Sequence, residues 1–186
     1  MTTRGRIGGL LALTLALAGC LGESPEERAR REQDRLCASE RECEDGDPEH
    51  RPGQFCLLCH GPDYAAEGAR FALAGTVYLR KDDLAGLEAA RVRLRDAAGR
   101  EFDVLTNRTG NFMVSVEPGL DQPRDRGRGQ LAIGFTPSYP IEVSVTASSR
   151  EIKMRSRIQR EGSCNACHAP PESPSSPGRI YVLETP

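Results

Sequence analysis

The chain has 186 residues, 38% hydrophobic and 28% charged, with 19 Gly, 13 Pro and no Trp; this suits one modest globular domain plus irregular segments and excludes a multi-domain enzyme. Its 25 basic and 27 acidic residues give a net charge of −2, so no broad basic surface is available for a phosphate backbone and nucleic acid is not expected as a partner. Seven Cys stand beside three His, too few His for a histidine-rich metal protein and an odd number for a disulfide framework.

Residues 1–19 read as an export signal: Arg4 and Arg6, an apolar run over 7–18, then Gly19 before Cys20. The run is shorter than the ~20 residues that cross a bilayer. Leu17-Ala18-Gly19-Cys20 resembles the lipobox of bacterial lipoproteins, which implies that Cys20 is acylated and becomes the first mature residue. An ordinary signal peptide with a chance Cys is the alternative. Leu21, rather than Asp, follows the Cys, and by the same resemblance this favours the outer membrane. The chain is therefore expected to be exported and lipid-anchored to the bacterial envelope.

Residues 20–46 read as a tether. Ser24-Pro25-Glu26-Glu27 offers an N-cap, a first-turn Pro and an acidic third position for a short helix reaching about Leu36, or else the stretch is a flexible link. Residues 47–70 form a first cysteine-bearing segment, in a region rich in Gly, Pro, Cys and acidic residues with no sustained periodicity; covalent links are expected to order it.

Over 71–156 the pattern turns to period two. Val92 and Leu94 alternate with Arg91, Arg93 and Arg95, a turn follows at Ala97-Ala98-Gly99-Arg100, and Phe102 and Val104 resume the alternation. Asn107-Arg108-Thr109-Gly110-Asn111 is a second turn before Phe112, Val114 and Val116. Ile141, Val143, Val145, Ile152 and Met154 continue the parity, while 117–138 reads as a Gly/Pro/Arg-rich loop. One-sided strands at this spacing predict a mainly β fold, a small antiparallel sandwich flanked by irregular segments. Residues 157–186 hold a second cysteine-bearing segment and a C-terminal strand.

Gly75-Thr-Val-Tyr78, Ala89-Ala-Arg-Val-Arg-Leu-Arg-Asp96 and Thr106-Asn-Arg-Thr-Gly-Asn-Phe112 resemble the carboxypeptidase regulatory-like, transthyretin-like β-sandwiches of exported bacterial proteins. The resemblance covers about half the chain. It implies an Ig- or transthyretin-like accessory module, and fold analogy of this kind assigns no activity.

Cys56-Leu57-Leu58-Cys59-His60 and Cys164-Asn165-Ala166-Cys167-His168 are both C-x-x-C-H, the attachment signature of c-type haem. Two thiols add to the two porphyrin vinyl groups and the adjacent imidazole reaches the iron. Chance would supply roughly 0.004 such motifs in a chain of this composition, so two by accident are discounted. One or two haem c groups are expected, with Cys56, Cys59, Cys164 and Cys167 as thioether anchors and His60 and His168 as axial ligands. Two other readings stay open. Four thiolates could form a zinc site, which leaves a His after each pair unexplained. Each pair could be a disulfide, although neither shows the strand-then-helix context of a thioredoxin-type pair.

Two bis-histidine irons need four His and the chain has three, so at least one iron takes another ligand. His50, Met113 and Met154 are the distal candidates, and Met ligation would raise the potential of one centre above the other. Met154 shares the apolar parity of Ile152. Met113 alternates out of phase with Phe112 and Val114 and is expected to be exposed, away from the core. Cys37 and Cys43 remain, at a spacing that fits a small disulfide-closed loop.

Together the two motifs flanking a sandwich resemble an exported c-type cytochrome lipoprotein, which implies electron transfer with a redox partner protein in the envelope. The alternatives are a non-redox surface binding module whose Cys pairs are structural, and an enzyme or sensor with an open iron position.

Overall fold

The computed structural model describes residues 47–62, 65, 70–174 and 176–183. Cys20, the helix or tether at 24–36, and Cys37 and Cys43 lie outside the described residues. Among the described residues nine strands follow in chain order: β1 (Leu73–Arg80), β2 (Arg91–Arg95), β3 (Glu101–Leu105), β4 (Asn111–Val116), β5 (Arg124–Gly127), β6 (Gln130–Ile133), β7 (Glu142–Ala147), β8 (Arg150–Lys153) and β9 (Ile180–Leu183). They form two sheets, ordered β5-β6-β4-β1-β9 and β3-β2-β7-β8. The second sheet is antiparallel throughout. The first is mixed, because β6 runs parallel to β4 and β9 parallel to β1. The fold is thus a mainly β sandwich.

Alternation dictates the core. In β2, Val92 and Leu94 are buried while Arg91, Arg93 and Arg95 are exposed, and the partner strand β3 buries Phe102 and Val104. These meet Leu73, Val77, Phe112 and Val114 of the facing sheet, each fully buried side chain contributing about 1.5–3 kcal/mol of transfer free energy. On the outer face Asp103 pairs with Arg91 at 3.1 Å and Arg93 at 3.0 Å, exposed contacts that contribute little to stability.

The stretch 117–138 is not all loop, since it contains β5 and β6. The residues of β5 are Arg-Asp-Arg-Gly, all exposed at the sheet edge. Such an edge strand has no apolar alternation to read, and its charges discourage pairing with another chain.

The two central strands β1 and β4 are buried on both faces, which strict alternation does not anticipate. Leu73, Val77, Phe112 and Val114 face the sandwich interior. Ala74, Thr76, Tyr78, Asn111 and Met113 occupy the opposite face and are buried as well. Met113 is only 5% exposed, which corrects the expectation of an exposed Met. It does point away from the sandwich core, but onto a face where the segment bearing Pro48, His50 and Gly53 packs over Asn111, Thr76 and Tyr78.

The β2–β3 turn is held by a buried carboxylate. Asp96 accepts from the Arg100 and Ser138 backbone N–H groups at 2.9 and 3.1 Å and from the Arg100 guanidinium at 2.8 and 2.6 Å. Burial pushes its pKa up, but these donors together outweigh burial and hold it below the usual carboxylate range. Asp96→Ala is expected to cost about 3 kcal/mol in denaturant unfolding, because buried donors lose their acceptor. With the folded pKa below the unfolded one, the charge contribution is complete above the unfolded value and disappears as pH falls through the folded one. Asp96→Asn should therefore show a flatter loss of stability below pH ~4 than the native chain.

Candidate functional site

Each C-x-x-C motif opens one helical turn: α1 (Cys56–His60) and α2 (Cys164–Cys167). These turns are a finding against the expected irregularity of the segments. A turn of helix sets residues i, i+3 and i+4 on one side, so Cys56, Cys59 and His60 share one side of α1. In the second motif His168 is the C-cap of α2, its N–H donating to Cys164 O at 2.9 Å. Leu58 is the buried anchor of α1. Cys56 and Cys59 are half-buried, Cys164 is buried and Cys167 exposed, and all four are free thiols.

Both turns dock on β1. The Ala74 N–H donates to Gly162 O at 2.9 Å and Ser163 bridges to Ala74, so the second motif occupies the β1 edge ahead of β9. Here Gly75 is required by close approach, since a Cβ on it would come within 2.8 Å of Cys164 Cβ and 3.0 Å of the Phe112 ring. Cys164 joins the hydrophobic core at that point. On the other face, Gly53, at φ +79°, lies so close to Tyr78 that a Cβ would stand 2.5 Å from its hydroxyl.

A buried polar network joins the two motifs. The Thr76 hydroxyl donates to Asn111 Oδ1 at 2.7 Å and accepts from the Gly53 N–H at 2.7 Å and from Asn165 Nδ2 at 3.1 Å. That uses its full bonding capacity. Asn165 also accepts from the Thr76 N–H at 3.2 Å and donates to Gln54 O at 2.8 Å. Asn111 Nδ2 donates to His50 O at 2.9 Å. The Asn107 turn extends the dock, its Nδ2 donating to Pro48 O at 2.7 Å, with Arg108 gripping Glu49 at 2.9 and 2.7 Å.

The histidines are oriented by their neighbours. The His60 ring stacks on Phe71 at 4.5 Å, and the His50 ring lies 5.7 Å from it, tilted by 45°. Nδ1 of His50 bonds Asp47 O. Nδ1 of His168 bonds Gly178 O at 3.0 Å, which leaves Nε2 as the nitrogen available to a ligand. Burial lowers the His168 pKa, partly offset by the Gly178 carbonyl, and so favours the neutral imidazole that a metal needs. Burial pushes the Cys56 and Cys164 thiols up to about 12, keeping both protonated at neutral pH.

The structure thus brings His50 to the first motif. Met113 pairs with Ala74, which in turn bridges to Ser163 beside the second. Met154 packs against the sandwich core. Among the described residues no three of His, Cys, Asp and Glu converge to hold a metal ion. Sequence reasoning missed Thr76, Asn111 and Asn165, because buried polar residues carry no periodic signal. Asn165 had a pointer in its place between the two cysteines of a motif, while Thr76 and Asn111 stood only in stretches quoted for the sandwich resemblance. Comparison with known proteins finds no matching family model, no matching curated protein and no matching solved structure.

Thr76→Val and Asn165→Ala should each destabilise the fold by about 2 kcal/mol through the partners left unpaired. Because the two share one network, the double variant should depart from additivity by about 1–3 kcal/mol in denaturant unfolding. Additive losses would show the network to be two independent contacts.

Proposed function

We propose that the chain is an envelope-anchored c-type cytochrome that passes electrons to a redox partner protein. Cys56 with Cys59 and Cys164 with Cys167 serve as covalent haem anchors, and His60 and His168 as axial ligands. The observation that carries this reading is the docking of two C-x-x-C-H turns on one strand, with the His168 ring already oriented through Nδ1. Haem, when bound, supplies the electron-carrying iron; the chain supplies attachment, ligation and a low-dielectric setting.

The donor set, two thiol pairs each followed by an imidazole, is the one such attachment needs. Cys56 with Cys59 and Cys164 with Cys167 would hold the group through thioethers to its vinyl carbons. Cys164 sits in the core, so attachment there has to precede closure of the sandwich edge around it. The Ser163 hydroxyl beside it is buried without a hydrogen-bond partner, an orphan that a group attached at Cys164 could satisfy. His50 is the best-supported distal ligand for the first motif, since its ring lies 5.7 Å from that of His60 and its Nδ1 is held by Asp47 O. A distal ligand from Met113 or Met154 at the second motif would complete two centres of unequal potential. Acylation of Cys20 would place this assembly at the membrane, with outer-membrane sorting from Leu21.

Protein matured with the c-type haem attachment machinery should show a Soret band that shifts reversibly on reduction. His50→Ala should turn one of its two low-spin centres high-spin while leaving haem content unchanged. A colourless product under those conditions would contradict the reading.

A further inference from the structure

Between β8 and α2 the chain crosses from the edge of one sheet to the other sheet. The Met154 N–H still donates to Val143 O at 3.0 Å, and Ile158 exchanges backbone hydrogen bonds with Ile141 at 2.8 and 2.9 Å, before Gly162 O accepts from Ala74. These tethers bury Ile158 and leave most side chains between them in water. Their charge is one-sided: Lys153, Arg155, Arg157 and Arg160 are exposed, as is Arg150 at the start of β8. Three carboxylates accompany these cations. Glu142 is shared by Lys153 at 3.4 Å and Arg157 at 2.6 Å, Glu161 accepts from the Ser163 N–H at 2.8 Å, and Glu151 is exposed on β8. Arg155 and Arg160 have no ion pair among the described residues. The strip is thus positive on a chain whose net charge is −2. It leads into α2, where Ala166, Cys167 and Pro170 are exposed, so uncharged surface follows the cations along the chain.

The balance of charge selects the occupant. A membrane or a nucleic acid meets the field of the whole molecule and binds by the total charge it neutralises, which a net-negative chain opposes. A folded protein meets only the strip it touches, and there a local excess of cations steers encounter and fixes orientation. Arginine suits this use, because its planar guanidinium can take a carboxylate in two-point contact. We propose that residues 153–160 are the docking strip for the acidic face of a protein partner, which on binding covers the exposed end of α2. Arg155 and Arg160 make the new ion pairs, while Arg157 and Lys153 stay held by Glu142. Only the use of this dock for electron transfer rests on the haem reading above; the binding itself does not.

Fluorescence anisotropy of a labelled oligoglutamate peptide, titrated with the full chain at low salt, tests this. The native chain should bind the peptide, and added salt should weaken binding. The variant carrying Arg155→Glu and Arg160→Glu should bind about tenfold more weakly, and Arg155→Gln with Arg160→Gln should fall between the two. Arg124→Glu, at the exposed edge strand β5 of the other sheet, should change nothing. No binding by the native chain, or equal weakening by Arg124→Glu, would overturn the strip. Binding to phosphatidylglycerol vesicles but not to the peptide would make the occupant a lipid surface, and self-association in sedimentation that the double variant abolishes would make it a second copy; either overturns the proposal. The Soret band and intact mass of the same samples report on haem separately: their absence removes electron transfer and leaves the dock standing, whereas a haem-loaded chain that ignores the peptide removes the dock alone.

Discussion

The hydroxyl of Thr76 is the point on which the arrangement turns. It sits on a central strand, fully buried, and a buried hydroxyl without partners would cost on the order of 1–3 kcal/mol. Its three partners are the Gly53 backbone before the first motif, the Asn165 amide inside the second, and the Asn111 amide on the neighbouring strand. Satisfying one small group thus ties together parts of the chain that lie far apart in sequence. Low local dielectric makes such a network strong when complete and costly when broken.

The sandwich supplies the rigid base for it. Its inner faces form an apolar core between two sheets, and its outer face at β1 and β4 is overlaid by the segment bearing Pro48, His50 and Gly53. The small residues Ala74, Gly75 and Thr76 let backbone and cysteine approach closely on both sides of β1. Since β9 covers only the far half of β1, the near half is left for Gly162 and Ser163, and so for α2. The His168 ring is then set by Gly178, two residues before β9 begins. Fold and candidate site are for this reason one construction: the segment that leads into the edge strand also orients the imidazole.

Much of this was legible in the sequence and some was not. Val92, Leu94, Phe102 and Val104 announced their strands because one face meets water. Strand β5 did not, being polar and exposed throughout. Met113 misled, because period two reports which way a residue points but not whether a second layer covers that face. The C-x-x-C-H motifs were plain as chemistry, yet nothing in their separation of more than one hundred residues revealed that Asn165 of one would reach the sulfur of the other. Long-range polar contacts depend on topology, and topology is the part that local pattern does not encode.

Peptide-level mass mapping of the mature chain tests the central claim most directly. If Cys56, Cys59, Cys164 and Cys167 are anchors, the peptides spanning 56–60 and 164–168 should each carry one haem through two thioethers. Finding those peptides as bare thiols, or joined by disulfides, in protein matured where haem attachment is active would contradict it.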